Sequence, residues 1–280
     1  MPEQLDHCLN AWVAEQRAAG ISPEESMSTL VASGFHRFSA REAVLPLSGS
    51  RAPLDAGGSR SSLASSRDLG DRTVRVMLSC RGPDLTVVRD FVDEAEAGSL
   101  IHASVARLLP SQVVDVDAKD GAGHVSRART SHSMYFAASE SAEVRALEAR
   151  AALLAGRDAC CAEPVQVVRY TPGTGVENHQ DYFDVRDPSS AAHLGRRGQR
   201  VATVLVYLNT PQAGGETVFA DPQLEIIANL GTAVHFAFPT ASEQDLALHS
   251  GAPVMLGEKW IATIWFRDQP QSMTPMEPIA

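Results

Sequence analysis

His179 and Asp181 are separated by a single residue in His179-Gln-Asp181-Tyr-Phe. On an extended segment, residues two apart point to the same face. A second histidine, His249, stands far downstream in His249-Ser-Gly-Ala-Pro. Two imidazoles and one carboxylate make a facial triad that leaves coordination positions open, the donor set of non-haem Fe(II) oxygenases. Lys259 follows His249 by ten residues, between Gly257-Glu258 and the apolar run Trp260-Ile-Ala-Thr-Ile-Trp265-Phe. A lysine entering such a run is a buried charge that needs an anion. Beside an open iron site it can hold the far carboxylate of a dicarboxylate that chelates the metal with its other end. A His-x-Asp triplet alone arises by chance; with the distant histidine and the lysine it becomes specific.

The other histidines among the nine carry a plainer reading. His7, His36, His102, His124, His132 and His193 have no ligand-like spacing and read as surface or structural. His235 sits inside Ala233-Val-His-Phe-Ala-Phe and reads as a core histidine.

The elements that must hold the triad are short strands. After Val165 the chain alternates apolar runs with Pro, Gly and Asn turns: Val165–Tyr170, Val201–Leu208, Glu216–Phe219, Leu224–Ile227, Ala233–Phe238 and Trp260–Phe266. Many short strands around an open metal site point to a double-sheet jelly roll, a double-stranded β-helix, in a mostly β chain with flanking helices (α+β). Thr73-Val-Arg-Val-Met-Leu and Leu85-Thr-Val-Val add two strands bounded by Gly82-Pro83. Asp93 through Leu109 reads as a helix with Ala95, Leu100, Ile101, Val105 and Leu108 as its apolar stripe. Ser141 to Ala155 reads as another, built on Val144, Leu147 and Leu153-Leu154.

Residues 1–45 read as a small three-helix unit. Leu5, Leu9, Trp12 and Val13 share one face, Ser22-Pro-Glu-Glu25 starts a second helix, and Ser39-Ala-Arg-Glu42 offers a capping box for a third. Such a unit docks on the main domain or binds a partner that the sequence does not identify. Residues 46–72 are rich in Ser, Gly, Arg and Asp and read as a flexible linker. The catalytic domain is then expected over 73–280, with its jelly-roll core at about 165–268.

A formal net charge of -10 over 280 residues argues against a nucleic-acid binder that works by neutralising phosphate. No apolar run approaches the ~18 residues of a membrane-spanning helix. The first residues lack a basic segment followed by an apolar stretch, so no secretory signal is expected. The four cysteines, Cys8, Cys80 and the adjacent Cys160-Cys161, fit neither a disulfide framework nor a zinc-ligand spacing. A reducing, cytoplasmic location is expected.

The residues also carry a resemblance. Val168-Arg-Tyr170-Thr-Pro-Gly, His179-Gln-Asp181-Tyr-Phe, Gly198-Gln-Arg200-Val-Ala-Thr203-Val-Leu-Val-Tyr-Leu with Gly214-Gly-Glu-Thr-Val-Phe219, and Gly257-Glu-Lys259-Trp-Ile-Ala-Thr-Ile-Trp265 occur in this order. Together they resemble the prolyl 4-hydroxylase family of Fe(II)/2-oxoglutarate dioxygenases. Upstream, Ser126-Arg127-Ala-Arg-Thr-Ser131 is similar to that family's Arg-x-Arg-Thr-Ser segment, so the likeness runs over roughly residues 76–268. The resemblance implies Fe(II) on His179, Asp181 and His249, and 2-oxoglutarate held by Lys259, Tyr170 and Thr203. It also implies O2 as cosubstrate, L-ascorbate to rescue oxidised iron, and Arg127, Arg200 and Trp265 facing the substrate. The implied reaction is hydroxylation of peptidyl proline. A free amino acid or small natural product is the alternative substrate, and a non-catalytic cupin-like metal binder the alternative class. Asp181 favours hydroxylation over halogenation, because related halogenating enzymes have a small residue there. Two positions depart from the family on the substrate side. Val176 stands where a tyrosine is usual three residues before the first metal histidine, and Arg267 where a histidine is frequent two past the closing tryptophan.

Overall fold

The computed structural model describes residues 12–14, 16–32, 44, 64–81, 84–111, 131–185, 190–195, 197–220, 223–238 and 244–271. In chain order the strands are β1 (Ser66–Asp68), β2 (Thr73–Arg81), β3 (Asp84–Arg89), β4 (Leu109–Pro110), β5 (His132–Tyr135), β6 (Gln166–Tyr170), β7 (Val176–His179) and β8 (Arg200–Tyr207). They continue as β9 (Ala213–Gly214), β10 (Thr217–Phe219), β11 (Leu224–Ile226), β12 (Ala233–Ala237), β13 (His249–Gly251), β14 (Val254–Leu256) and β15 (Lys259–Arg267). The helices are α1 (Pro23–Ala32), α2 (Glu94–Val105), α3 (Ala142–Ala155) and the single turn α4 (Ala191–Leu194).

One large antiparallel sheet has the order β1-β2-β3-β12-β8-β15-β6-β5-β4, and a smaller one the order β11-β10-β13-β7. β9 and β14 form a short ribbon beside them. This is the expected jelly-roll arrangement, with a core on each face of the large sheet. β15 shows why: all nine of its residues are buried, and successive side chains alternate between faces. Trp260, Ala262, Ile264 and Phe266 join α2 and α3 in the outer core with Phe91, Leu100, Val144 and Leu147. Ile261 joins the inner core with Tyr170, Tyr207, Phe219 and Phe236. Lys259 and Trp265 share the parity of Ile261 and face inward as well. Each fully buried large apolar side chain stabilises the layers by about 1.5–3 kcal/mol.

Helix α2 starts at a capping box, in which Asp93 accepts from the Glu96 N–H and Glu96 accepts from the Asp93 N–H. Its buried face is Ala97, Leu100 and Ser104, not the expected stripe through Val105, which is 55% exposed. Ser104 can be buried because its hydroxyl donates to the Leu100 carbonyl at 2.7 Å. Helix α3 is capped by Ser141 and ends at Gly156 with φ 61°, a left-handed turn that glycine adopts without strain. Val144, Leu147, Ala151 and Leu154 are buried there, while Leu153, expected to be inside, is 56% exposed.

The chain divides into two compact units, Met1–Leu63 and Ala64–Ala280. In the first, α1 begins at Ser22, whose hydroxyl accepts from the Glu25 N–H at 3.2 Å while Glu25 accepts from the Ser22 N–H. Val13, Leu30 and Val44 are packed together with Trp12 and Met27 against them. Of the expected third helix from Ser39 only Val44, helical and buried, is described, and 46–63 of the expected linker lie outside the described residues. The rest of that linker is folded. β1 pairs with β2, Leu69 is 2% exposed, and Gly70 N–H donates to Asp68 at 2.9 Å in the turn. Composition hid this strand because it is an edge strand with all three side chains exposed, held by backbone pairing alone.

His235 on β12 lies between Thr86 and Val204 of the neighbouring strands. It is 7% exposed, and its Nε2 has no hydrogen-bond partner. Burial pushes its pKa down to about 4, only partly opposed by Asp84. The unfolded imidazole takes up its proton near ~6.5. Stability from this group is therefore complete above pH ~6.5 and is lost as pH falls toward ~4, by up to roughly 3 kcal/mol. Urea unfolding near neutral pH and again near pH 5 should show His235→Leu losing less stability on acidification than the parent protein. An equal loss would place the acid-sensitive group elsewhere.

Candidate metal centre

The smaller sheet brings the two histidines together. β7 pairs with β13 so that His179 lies directly opposite His249, and their ring centroids are 4.3 Å apart. Asp181 follows just past the end of β7. Its Oδ1 is 3.7 Å from His179 Nε2, and its Oδ2 is 4.0 Å from His249 Nε2. One ligand atom from each of the three residues lies within 4.8 Å of the others. Each histidine bonds through Nδ1 to the carbonyl two residues before it: His179 to Glu177 and His249 to Ala247, both at 2.9 Å. A carbonyl only accepts, so Nδ1 carries the proton and the Nε2 lone pair faces Asp181. Two converging imidazole lone pairs and a carboxylate fit a divalent iron.

Asp181 is 8% exposed. Burial pushes its pKa up, but His249, His179, Arg200 and the Thr203 hydroxyl outweigh that and hold it below the ordinary carboxylate value. Burial lowers the His249 pKa to about 4, with Asp181 opposing and the nearby His179 and Lys259 adding to the fall. Both groups are therefore in their metal-binding forms near neutral pH. Thr203, expected to line the 2-oxoglutarate pocket, donates its hydroxyl to Asp181 Oδ2 at 2.7 Å.

Lys259 opens β15 opposite Tyr170 of β6 and is 3% exposed. Its Nζ lies 5.5 Å from the ring centroids of both Tyr170 and Tyr207. Burial lowers its pKa to about 8, with Glu216 opposing from a distance. Among the described residues no carboxylate forms an ion pair with it. Glycines keep the room around it: a Cβ at Gly215 would sit 3.1 Å from Lys259 Cδ, and one at Gly251 3.9 Å from Nζ. Asn209 grips the backbone on both sides of the lysine. Its Nδ2 donates to the Glu258 carbonyl at 2.8 Å, and its Oδ1 accepts from the Trp260 N–H at 2.7 Å.

On the far side of Asp181 stands a cluster that sequence reading did not find. Glu163 accepts from Arg200 Nε and Nη2, both at 2.7 Å, and from Arg267 Nε at 2.5 Å. Arg200 also donates to the Asp181 carbonyl at 3.3 Å and stacks over Trp265, 3.9 Å from the ring centroid. Arg267 donates to the carbonyls of His193 and Gly198. The Arg200 guanidinium, expected to face substrate, is thus spent on Glu163 and Asp181. Trp265 is 8% exposed, and Val176 packs beside Gly251 in the β7–β13 pair. Arg127 lies outside the described residues. Glu163 and its partners are far apart in sequence and leave no local signature, and the same holds for Asn209.

The sequence profile of the 2OG-Fe(II) oxygenase superfamily matches residues 165–267. The fold, the donor set and this match define a 2-oxoglutarate-dependent dioxygenase. Within that class, the chain is 34% identical over 207 residues to prolyl 4-hydroxylase 1 of Arabidopsis thaliana, covering 68% of this chain and 71% of the relative. It is 29% identical over 191 residues to the prolyl 4-hydroxylase subunit alpha-1 of Gallus gallus, covering 68% of this chain but only 36% of that longer protein. The solved viral collagen prolyl hydroxylase of Paramecium Bursaria Chlorella virus-1, in complex with 2OG, superposes with a TM-score of 0.51 at 27% identity, covering 66% of this chain and 97% of that one. The chain belongs to the prolyl 4-hydroxylase family.

Glu163 pairs with two buried guanidinium groups, with side-chain exposures of 10% for the carboxylate and 17% and 3% for Arg200 and Arg267. Removing one partner from a buried pair typically costs about 3–5 kcal/mol, because the remaining charge is uncompensated. Glu163→Gln should lose stability in that range in urea unfolding. A loss below about 1 kcal/mol would show that solvent already screens the cluster, as at exposed pairs.

Proposed function

We propose that His179, Asp181 and His249 hold Fe(II), that Lys259 takes the C5 carboxylate of 2-oxoglutarate, and that the substrate is a peptidyl proline hydroxylated at C4. The observation that carries this is the buried ammonium of Lys259. It has no ion pair among the described residues, yet its Nζ lies 3.9 Å from where a Cβ on Gly251 would sit, on the same strand as His249. A buried cation without an anion is costly, and a dicarboxylate reaching over from the metal supplies one. Bound Fe(II), with 2-oxoglutarate and O2, provides the oxidising power that converts C–H to C–OH, releasing succinate and CO2.

The protein's own residues do the positioning. The Nδ1 bonds hold both imidazoles in the tautomer that presents Nε2. Thr203 and Arg200 keep Asp181 ionised and fixed from two sides, leaving its oxygens turned toward the histidines. Asn209 sets where Lys259 begins, and the Tyr170 and Tyr207 rings wall its ammonium from water. Trp265, backed by Arg200, offers an aromatic face suited to a proline ring. The reading includes L-ascorbate as the reductant that restores oxidised iron, and a reducing, cytoplasmic setting, in keeping with Cys80, Cys160 and Cys161 standing outside any disulfide among the described residues. Among the described residues no helix is long and apolar enough to cross a membrane.

Val176 and Arg267 keep a free amino acid or small natural product in view as the other substrate class. Incubation with iron, 2-oxoglutarate, ascorbate and either a proline-rich peptide or free proline decides between them by which one gains the mass of an oxygen atom. Lys259→Ala should raise the KM for 2-oxoglutarate by one to two orders of magnitude. A hydrogen bond to a charged group is worth ~1.5–3 kcal/mol and ~1.4 kcal/mol is tenfold. Bound iron should stay unchanged, whereas His179→Ala should abolish it. An unchanged KM in Lys259→Ala would move the carboxylate site elsewhere. With a lysine pKa of about 8, the ammonium is lost as pH rises through that value, so kcat/KM for 2-oxoglutarate should fall above it. In Lys259→Arg, whose guanidinium stays charged, the fall should disappear.

A further inference from the structure

Cys160 and Cys161 are adjacent, lie in the 3-10 turn Ala159–Cys161, and are both free. Cys160 is exposed and Cys161 half-buried, and burial together with the neighbouring Cys160 raises the Cys161 pKa. Cys161 lines a surface recess of about 390 Å³, together with Leu153, Arg157, Asp158 and Arg267. The turn is also tied to the cluster behind Asp181. Ala162 bridges Phe266, Glu163 N–H donates to the Trp265 carbonyl at 2.8 Å, and Gln271 N–H donates to the Cys160 carbonyl at 2.7 Å. Two residues past Cys161 comes Glu163, which holds Arg200 and Arg267.

From this placement we infer that Cys160 and Cys161 form a redox-modifiable vicinal dithiol, oxidised by hydrogen peroxide to a disulfide that loosens the Glu163 anchor. The exposed Cys160 sulfur attacks one peroxide oxygen, giving a sulfenic acid and one water. The Cys161 sulfur then displaces the second oxygen as water, forming the S–S bond. The sum is two thiols and one peroxide to one disulfide and two waters, with two electrons passing from sulfur to oxygen. Adjacent Cα atoms are ~3.8 Å apart, shorter than the ~4.4–6.8 Å usual across a disulfide. Closing the ring therefore deforms the peptide between the cysteines and the turn hydrogen bonds around it, Cys161 N–H to Asp158 at 2.9 Å and Ala162 N–H to Ala159 at 3.1 Å. A bond made under strain is readily reduced, as regulatory disulfides are. The deformation reaches Glu163, then Arg200, then the Asp181 carbonyl. Lys259 stands at the opposite end of β15 and is not part of that path.

The effect on turnover rests on the hydroxylase reading; formation of the bond does not. Full-length protein without added iron is treated with hydrogen peroxide, cleared with catalase, and divided. In one portion the tryptic peptide 158–169 should lose the mass of two hydrogen atoms and regain it with dithiothreitol. The other, given Fe(II) and 2-oxoglutarate, should form succinate several-fold more slowly than untreated protein, with the KM for 2-oxoglutarate unchanged and the rate restored by dithiothreitol. Cys160→Ser and Cys161→Ser should keep their rates after peroxide. The inference is overturned if the peptide mass does not change, if the disulfide forms without slowing turnover, or if the serine variants are slowed as much as the parent. Absence of succinate from untreated protein would count against the hydroxylase reading alone, and the peptide mass would still decide the dithiol.

Discussion

A carboxylate taken out of water must be compensated, and the centre of this molecule is arranged around that need at Asp181. The Thr203 hydroxyl supplies part of the compensation through a direct bond to Oδ2. Arg200 adds a positive charge behind the residue, but a guanidinium that is itself buried carries the same cost. Glu163 offsets it, and Arg267 in turn offsets Glu163 while pinning the carbonyls of His193 and Gly198. Each buried charge thus recruits the next, and the series runs across β8 and β15 at the middle of the large sheet. Phe183 lies between the two guanidinium groups, 4.9 and 4.8 Å from them, which joins the segment after Asp181 to the same stack.

One charge lies outside this closed set. Lys259 enters the inner core with aromatic rings on two sides and no described carboxylate in contact, and its lowered pKa records what burial costs. Glycine at 215 avoids a Cβ that would press on its stem at 3.1 Å, and Gly251 lies beside its tip. Asn209 fixes the backbone on both sides. The contrast is functional. Asp181, Glu163, Arg200 and Arg267 are satisfied by one another and form a rigid frame, whereas Lys259 is held in place with its bonding capacity unspent.

Much of this was legible in the sequence. The spacing of His179 and Asp181, the isolated His249 and the lysine at the head of an apolar run name a donor set and a cosubstrate anchor, since ligand chemistry depends on residue type. Strand alternation foretold the longer strands β8, β12 and β15 and their burial. Of the short strands that carry the histidines, β7 was read only as an extended segment around His179, and β13 was not read as a strand. Three or four polar or glycine-bearing residues show no periodicity, and what makes them strands is pairing with each other. The edge strand β1 was read as linker for the same reason.

What the sequence by itself determined is the chemistry on offer: two imidazoles, a carboxylate and an ammonium, placed in segments whose apolar patterns require a jelly roll. What only the tertiary structure decided is which charges are spent and which are left open. Arg200 and Lys259 both look like cations near the site when read along the chain. The fold commits Arg200 to Glu163 at a separation of 37 residues, and Arg267 to the same carboxylate at 104. Thr203 is committed to Asp181. Burial and pairing are properties of strand order across the sheet. Whether a side chain remains free to bind therefore depends on neighbours that local sequence does not specify.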